Sequence, residues 1–446
     1  MKKLLAIFFI LSVCNFANAQ ISVYSTTLPH LQITTEPNID AIFMFNGINL
    51  STEIVCNFTN TDGGTRHIEW RKYNGINVEE EIWSNTPFIS LSFQPNDASG
   101  YILYIDNEPT YWVWVIDYSL YPVNISNLRV EPLEQNFCQN LILVADINTL
   151  PLFYKDKNGM DRTLMRSFTL DYVDYAFIGE NWQNNEISIS VNPLTQIKIS
   201  APKQDVTFTL SGDNFAKQMN IENLISVAYL DYRAVAVENH LKGTVKKRSV
   251  PPTDKPNEEK QDISNGNKVE GSAPLEVDFV SRANKPVAAF FEWVIYNEKT
   301  PSSYRRYPNE DIRYTFPEHG IYIVKLTVTS AGGCMFVDSL TVETIESFLA
   351  VPNFFTPNGD GTNDEFRVAY SSIKTYKCVV FNRWGSVVFT STNPNIGWNG
   401  NVHGKPAAEG TYYYVITATG TDFDNKGKPK KYYEHGAVNL FRGKEQ

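Results

Sequence analysis

From Tyr314 to Cys334 the chain reads YTFPEHGIYIVKLTVTSAGGC. Ile321, Ile323, Lys325, Thr327 and Thr329 alternate with Tyr322, Val324, Leu326 and Val328. A period of two puts the second set on the buried face of a β-strand and the first on the open face. The same texture runs through most of the sequence, with 13% aromatic residues and abundant Val, Ile and Thr, so the expected fold is all-β. A chain of 446 residues exceeds one hydrophobic core, and three or four β-sandwich domains in series are expected. The net charge of −10 argues against nucleic acid and anionic membrane surfaces as main partners.

The first twenty residues, MKKLLAIFFILSVCNFANAQ, have the form of a signal peptide. Lys2 and Lys3 precede an apolar run from Leu4 to Val13, and Ala17 and Ala19 fit a small-residue cleavage site before Gln20. The run is too short to span a bilayer, and no later segment is long and charge-free enough to do so. An alternative makes Cys14 a lipid-anchored first residue, but Val13 is bulky where lipoprotein signals carry a small residue. Beyond Cys14 stand Cys56, Cys138, Cys334 and Cys378. They are too dispersed for a dense disulfide framework, and no C-x-x-C spacing suggests zinc or thioredoxin-like chemistry. Unpaired or partly paired cysteines are expected.

Residues 20–120 place Cys56 in TEIVCNF, Trp70 in RHIEWRKY and Tyr101 in DASGYIL. This spacing resembles an immunoglobulin-type sandwich with its buried tryptophan and tyrosine corner, except that Leu103 stands where the second cysteine would be. Residues 121–245 read as a second sandwich, with Asn158-Gly159 as a hairpin turn. Residues 246–270, polar and nearly free of large apolar side chains, read as a flexible linker. Over 271–345, GSAPLEVDF, a central Trp293 and the Tyr314–Cys334 stretch resemble the PKD type of immunoglobulin-like domain. Such domains are usually spacers or protein-binding modules.

The last module, 346–446, begins with VPNFFTPNGDGTNDEF (Val351 to Phe366). As chemistry, Asn358, Asp360, Asp364 and Glu365 could surround calcium with Gly361 as the bend. That register puts Thr356 in the first position and Arg367 where a bidentate glutamate belongs. A metal-free turn explains every residue: Pro357 presets φ, Asn358 and Asp360 cap backbone amides, and Gly359 and Gly361 supply positive φ. No metal or cofactor is expected.

The same stretch, followed by FNRWGSVVF, GWNG, GTYYYVI and GAVNLFR, resembles the gliding-motility-associated C-terminal domain, the type B sorting domain of type IX secretion. The positions carrying the resemblance are Pro352, Asn353, Phe355, Thr356, Pro357, Asn358, Gly359, Asp360, Gly361, Asn363, Asp364, Phe366, Asn382, Arg383, Trp384, Gly385, Trp398, Gly400, Gly410, Tyr412, Tyr414, Gly436 and Arg442. The resemblance implies signal-peptide export across the inner membrane, then passage through the outer-membrane type IX translocon with an SprF-like partner. Trp384 and Trp398 both look like strand-end aromatics packed over glycine turns, with core packing preferred to receptor contact.

Six histidines (His30, His67, His240, His319, His403 and His435) are scattered without H-E-x-x-H spacing, and no G-x-S-x-G elbow occurs. The expected protein is non-enzymatic, secreted or displayed at the cell surface, and serves adhesion or surface assembly through glycan or protein ligands. Two alternatives stay open: an enzyme with carboxylates on separate strands, whose spacing a sequence does not reveal, and an accessory part of the gliding or secretion machinery.

Overall fold

The computed structural model describes residues 18–24, 28–49, 52–59, 67–74, 78–85, 90–93, 95–133, 135–192, 196–246, 263–265, 268–424 and 426–442. The signal segment Met1 to Ala17, most of the expected linker, the Cys56 side chain and the terminal residues 443–446 lie outside the described residues. The architecture is all-β, in two compact units. Of the described residues, the first holds those up to 174, 184–200 and 205–233, the second 175–183, 201–204 and those from 234 onward.

In the first unit, a three-stranded sheet (Asn18–Tyr24, Glu53–Thr59, Ser90–Phe93) faces a six-stranded one. Ala41–Phe45 runs parallel to Glu108–Asp117, and Ser99–Ile105 joins the latter to Ile68–Tyr73. Trp70, Leu103, Phe43 and Val113 fill the space between the sheets. Leu103 sits directly opposite Trp70 in the six-stranded sheet, and both are fully buried. The Tyr101 hydroxyl accepts the Asn96 backbone N–H at 2.8 Å, the bond of a tyrosine corner.

The following residues form a second sandwich. Val123–Glu131, Asn140–Thr149 and Ile197–Ser200 make one sheet, and Asn181–Val191, Phe168–Ile178, Val206–Gly212 and Ser226–Tyr232 the other. The Asn158-Gly159 turn closes the hairpin Leu152–Lys155 to Asp161–Leu164. Its Asp156 carboxylate accepts the amides of Asn158 (2.9 Å) and Met160 (3.0 Å). This hairpin and the helix Asn214–Gln218 cover Ile42, Met44, Trp114 and Ile116 of the six-stranded sheet. That shared core was not foreseen from the sequence. At its edge Asp213, fully buried, accepts bonds from the Tyr118 hydroxyl (2.7 Å) and the Arg166 guanidinium (2.8 Å).

In the second unit, Leu275–Val280 pairs with Lys242–Val245 on one side and with Ile312–Phe316 on the other. The reading that closed the second sandwich at 245 is therefore corrected here. Lys242–Val245 is a strand of the following module, and Val237 and Leu241 lie in that module's core with Trp293. The reading of 263–270 as linker is corrected too: Ile263–Asn265 and Lys268–Ser272 are strands, the latter parallel to Met335–Ile345. Lys242–Val245 and Ile263–Asn265 are edge strands, which bury little apolar surface and so leave little signal in the sequence. Gly320–Ser330 alternates as expected, with Tyr322, Val324, Leu326 and Val328 buried. The Trp293 indole donates to Asn309 O at 2.9 Å.

Cys138 is a disulfide cysteine, as is Cys334, whereas Cys378 is a free, buried thiol. Burial pushes its pKa up to about 11. Among the described residues no helix is long and apolar enough to cross a membrane.

Candidate functional site: the terminal module

The terminal module is built on a five-stranded sheet ordered Phe354–Phe355, Pro429–Leu440, Gly410–Phe423, Ile373–Phe381, Val387–Ser391. The two long central strands are antiparallel and bury Tyr412, Ile416, Ala418, Val438 and Leu440 on one face. Over that face lie Phe355, Phe366 and Trp398. Trp398 is 1% exposed, meets Tyr412 edge to face at 4.7 Å between centroids and donates its indole N–H to Asn401 O at 2.8 Å. Backbone bonds in both directions tie Phe366 to Trp398. The Tyr412 hydroxyl donates to Ala408 O at 2.8 Å.

The opening motif is a self-capped turn. The Asp364 carboxylate accepts the amides of Asn358 (3.0 Å), Gly359 (2.7 Å) and Gly361 (2.8 Å). Asp360 accepts the Thr362 amide (2.7 Å) and the Asn358 side-chain amide (2.9 Å), and these two bonds hold its carboxyl below the usual carboxylate range. Gly359 and Gly361 have φ of 79° and 81°, where a side chain would be strained. The Asn358, Asp360 and Asp364 side chains thus bond to the loop itself. Among the described residues no group of three His, Cys, Asp or Glu side chains could hold a metal ion.

The C-terminal end of the motif packs onto this framework. The Arg442 guanidinium donates to Gly400 O at 2.8 Å. Gly400, with φ of 73°, lies so close to Pro357, Leu440 and Arg442 that a Cβ would stand 3.0 to 3.2 Å from each. Asn353 O accepts the Asn439 amide at 3.0 Å. Gly436 lies against the Tyr414 hydroxyl, and Gly410 opens the central strand. Pro352 precedes and Thr356 follows the segment 353–355, and the Thr356 amide closes the turn onto Asn363 O at 2.7 Å.

One group stands apart. Asn382 folds a hairpin tip by accepting the amides of Trp384 and Ser386, each at 3.0 Å, and Gly385 takes φ of 84°. Trp384 is 73% exposed, with the Arg383 guanidinium 4.2 Å from its ring centroid. Core packing therefore holds for Trp398 and fails for Trp384. The tryptophan points outward because the tight N-R-W-G turn gives it no inner face. The sequence reading also missed a recurrence: the Tyr322 hydroxyl donates to Glu318 O at 2.9 Å, four residues upstream, as Tyr412 does. Both tyrosines stand in G-x-Y, GIY and GTY, a signal legible beforehand.

Fold and terminal module together define an exported protein of serial β-sandwiches ending in a secretion signal. Residues 349–433 match the family described as CHU_C Type IX secretion signal domain, and residues 131–227 match the fibronectin type III domain family Fn3_FA. The terminal domain marks the chain for type IX export to the cell surface or beyond, and both matched modules are non-catalytic. No curated protein matches.

Among solved structures, the chain is similar to a tetra-tandem repeat in the extending region of a large adhesion protein (10% identity, 89% of this chain and 98% of that one, TM-score 0.19). It is similar also to a 1.5-MDa bacterial ice-binding adhesin (12%, 72% and 99%, 0.18). A third likeness is to fibronectin(III)-like modules of Clostridium thermocellum CbhA (15%, 45% and 93%, 0.16).

Proposed function

We propose that this is a surface or secreted adhesion protein whose terminal module is a type B sorting domain, delivered to the translocon by an SprF-like outer-membrane partner. The observation that carries the reading is the export signal at 349–433, behind modules in which no catalytic constellation occurs among the described residues. In this reading the modules span about 20–120, 121–233, 234–345 and 346–446, with residues 234–345 a PKD-type domain. The motif residues divide into two roles. Phe355, Phe366, Trp398, Gly400, Tyr412, Tyr414, Gly436 and Arg442 shape the module, while Arg383 and Trp384 meet the receptor. An exposed tryptophan backed by an arginine has the composition of a binding hot spot.

The experiment follows export. A chain ending at Ile345 is expected to cross the inner membrane and stay in the periplasm. A folded reporter with a signal peptide and residues 346–446 is expected to leave the cell only when the outer-membrane partner is present. Export of the truncated chain at the full-length level would overturn the assignment.

A further inference from the structure

The five-stranded sheet of the terminal module packs one face on its core and leaves the other open. On the open face Lys377, Thr417 and Tyr433 form one row across three strands, and Thr375, Thr419 and Lys431 form the next. They stand opposite the buried Tyr376, Cys378, Ile416 and Ala418, as the period of two requires. A shallow cavity of about 340 Å³ lies over these rows. Tyr433 is 66% exposed, and the hydroxyls of Thr375 and Thr419 are bonded to each other at 2.5 Å.

The charge on this face is one-sided. On its three long strands the outward positions are Thr375, Lys377, Val379 and Phe381, then Thr411, Tyr413, Val415, Thr417 and Thr419, then Lys431, Tyr433, His435, Ala437 and Asn439. None is acidic, in a chain of net charge −10. Among the described residues neither Lys377 nor Lys431 forms an ion pair. Two strand spacings across and one side-chain repeat along place their Cα atoms about 12 Å apart.

We propose that this face is a binding site for an acidic saccharide. The Tyr433 ring offers a platform for the apolar face of a sugar ring. The threonine hydroxyls offer hydrogen bonds, and the two lysines meet carboxylates on neighbouring sugars through charge-assisted bonds. The 12 Å span suits two to three rings. A peptide strand is the poorer occupant, because the backbone of these central strands is already paired and strand addition needs an edge. The negative charge elsewhere does not oppose the site, since screening confines it to about 8–10 Å.

The test is calorimetric titration of the chain from Gln20 to Gln446 with trigalacturonic acid, with its methyl ester as the neutral probe and a hexa-aspartate peptide as the acidic non-sugar. Saturable one-to-one binding is expected, at least tenfold weaker for the ester and for the peptide. Lys377→Gln and Lys431→Gln are each expected to weaken binding several-fold, and Tyr433→Ala at least tenfold. All three side chains are exposed, so the melting temperature is expected to stay put. Absence of saturable binding, equal binding by the double lysine variant, or equal binding of the peptide would each overturn the proposal.

Discussion

Replacing each of two tryptophans in the terminal module by alanine separates folding from recognition. Trp398 is almost wholly buried, and a tryptophan covers roughly 150–250 Å². At about 25 cal/mol per Å² its burial is worth roughly 4–6 kcal/mol, in line with about 3–5 kcal/mol for such truncations. Its indole bond to Asn401 O adds about 1 kcal/mol. Taking about 4 kcal/mol for Trp398→Ala, the melting step of a module of some hundred residues is expected to fall by roughly 15–30 °C. Trp384 is 73% exposed and has the Arg383 stack, worth about 0.5–1 kcal/mol, so Trp384→Ala is expected to lower that step by no more than about 8 °C.

Export is expected to respond differently. Trp398→Ala abolishes it by unfolding the module, whereas Trp384→Ala leaves the module folded and reduces export at least tenfold, a loss of about 1.4 kcal/mol in docking. Differential scanning calorimetry of the purified chain and the extracellular fraction in type IX-competent cells supply the two readings. Wild-type export of the Trp384 variant would refute the hairpin tip as receptor contact. A large melting shift for the same variant would refute its placement outside the core.

Tyr101→Phe removes the bond to the Asn96 amide and is expected to cost about 1 kcal/mol in urea unfolding; an unchanged midpoint would refute the tyrosine corner. Asp213→Asn leaves the buried Arg166 without its counter-charge and is expected to cost about 3–5 kcal/mol, measured on the first unit's transition. Asp364→Ala frees three amides and is expected to cost about 2 kcal/mol, while calcium or chelator leaves the wild-type midpoint in place; a saturable calcium-dependent rise would restore the metal reading. The Cys378 thiol, raised by burial to about 11, stays protonated in the fold when it would ionise unfolded. Its contribution to stability is therefore complete below the ordinary thiol range and is lost as pH rises through about 11, and peptide mapping after alkylation at pH 8 is expected to find it unmodified until the chain unfolds.

Local pattern was enough wherever one side chain's neighbours lie within a few residues. The alternation from Tyr322 to Val328, the Asn158-Gly159 turn and the self-capped Asn358–Asp364 loop are all of this kind, because strand faces and tight turns are fixed by period and φ. The order of the terminal motifs was legible for the same reason, and with it the secretion class. Pairing between distant segments was not. Nothing in Lys242–Val245 or Ile263–Asn265 announces that they complete sheets of the third module, since an edge strand needs only backbone partners and carries little apolar signal. The shared core under Leu152 and Phe215 depends on two faces meeting that lie far apart in sequence. Trp384 and Trp398 read alike as W-G and W-N-G. Only the tertiary structure sends one outward on a four-residue turn and closes a sheet and a backbone bridge over the other, because burial depends on what surrounds a residue in space and not on its neighbours in the chain.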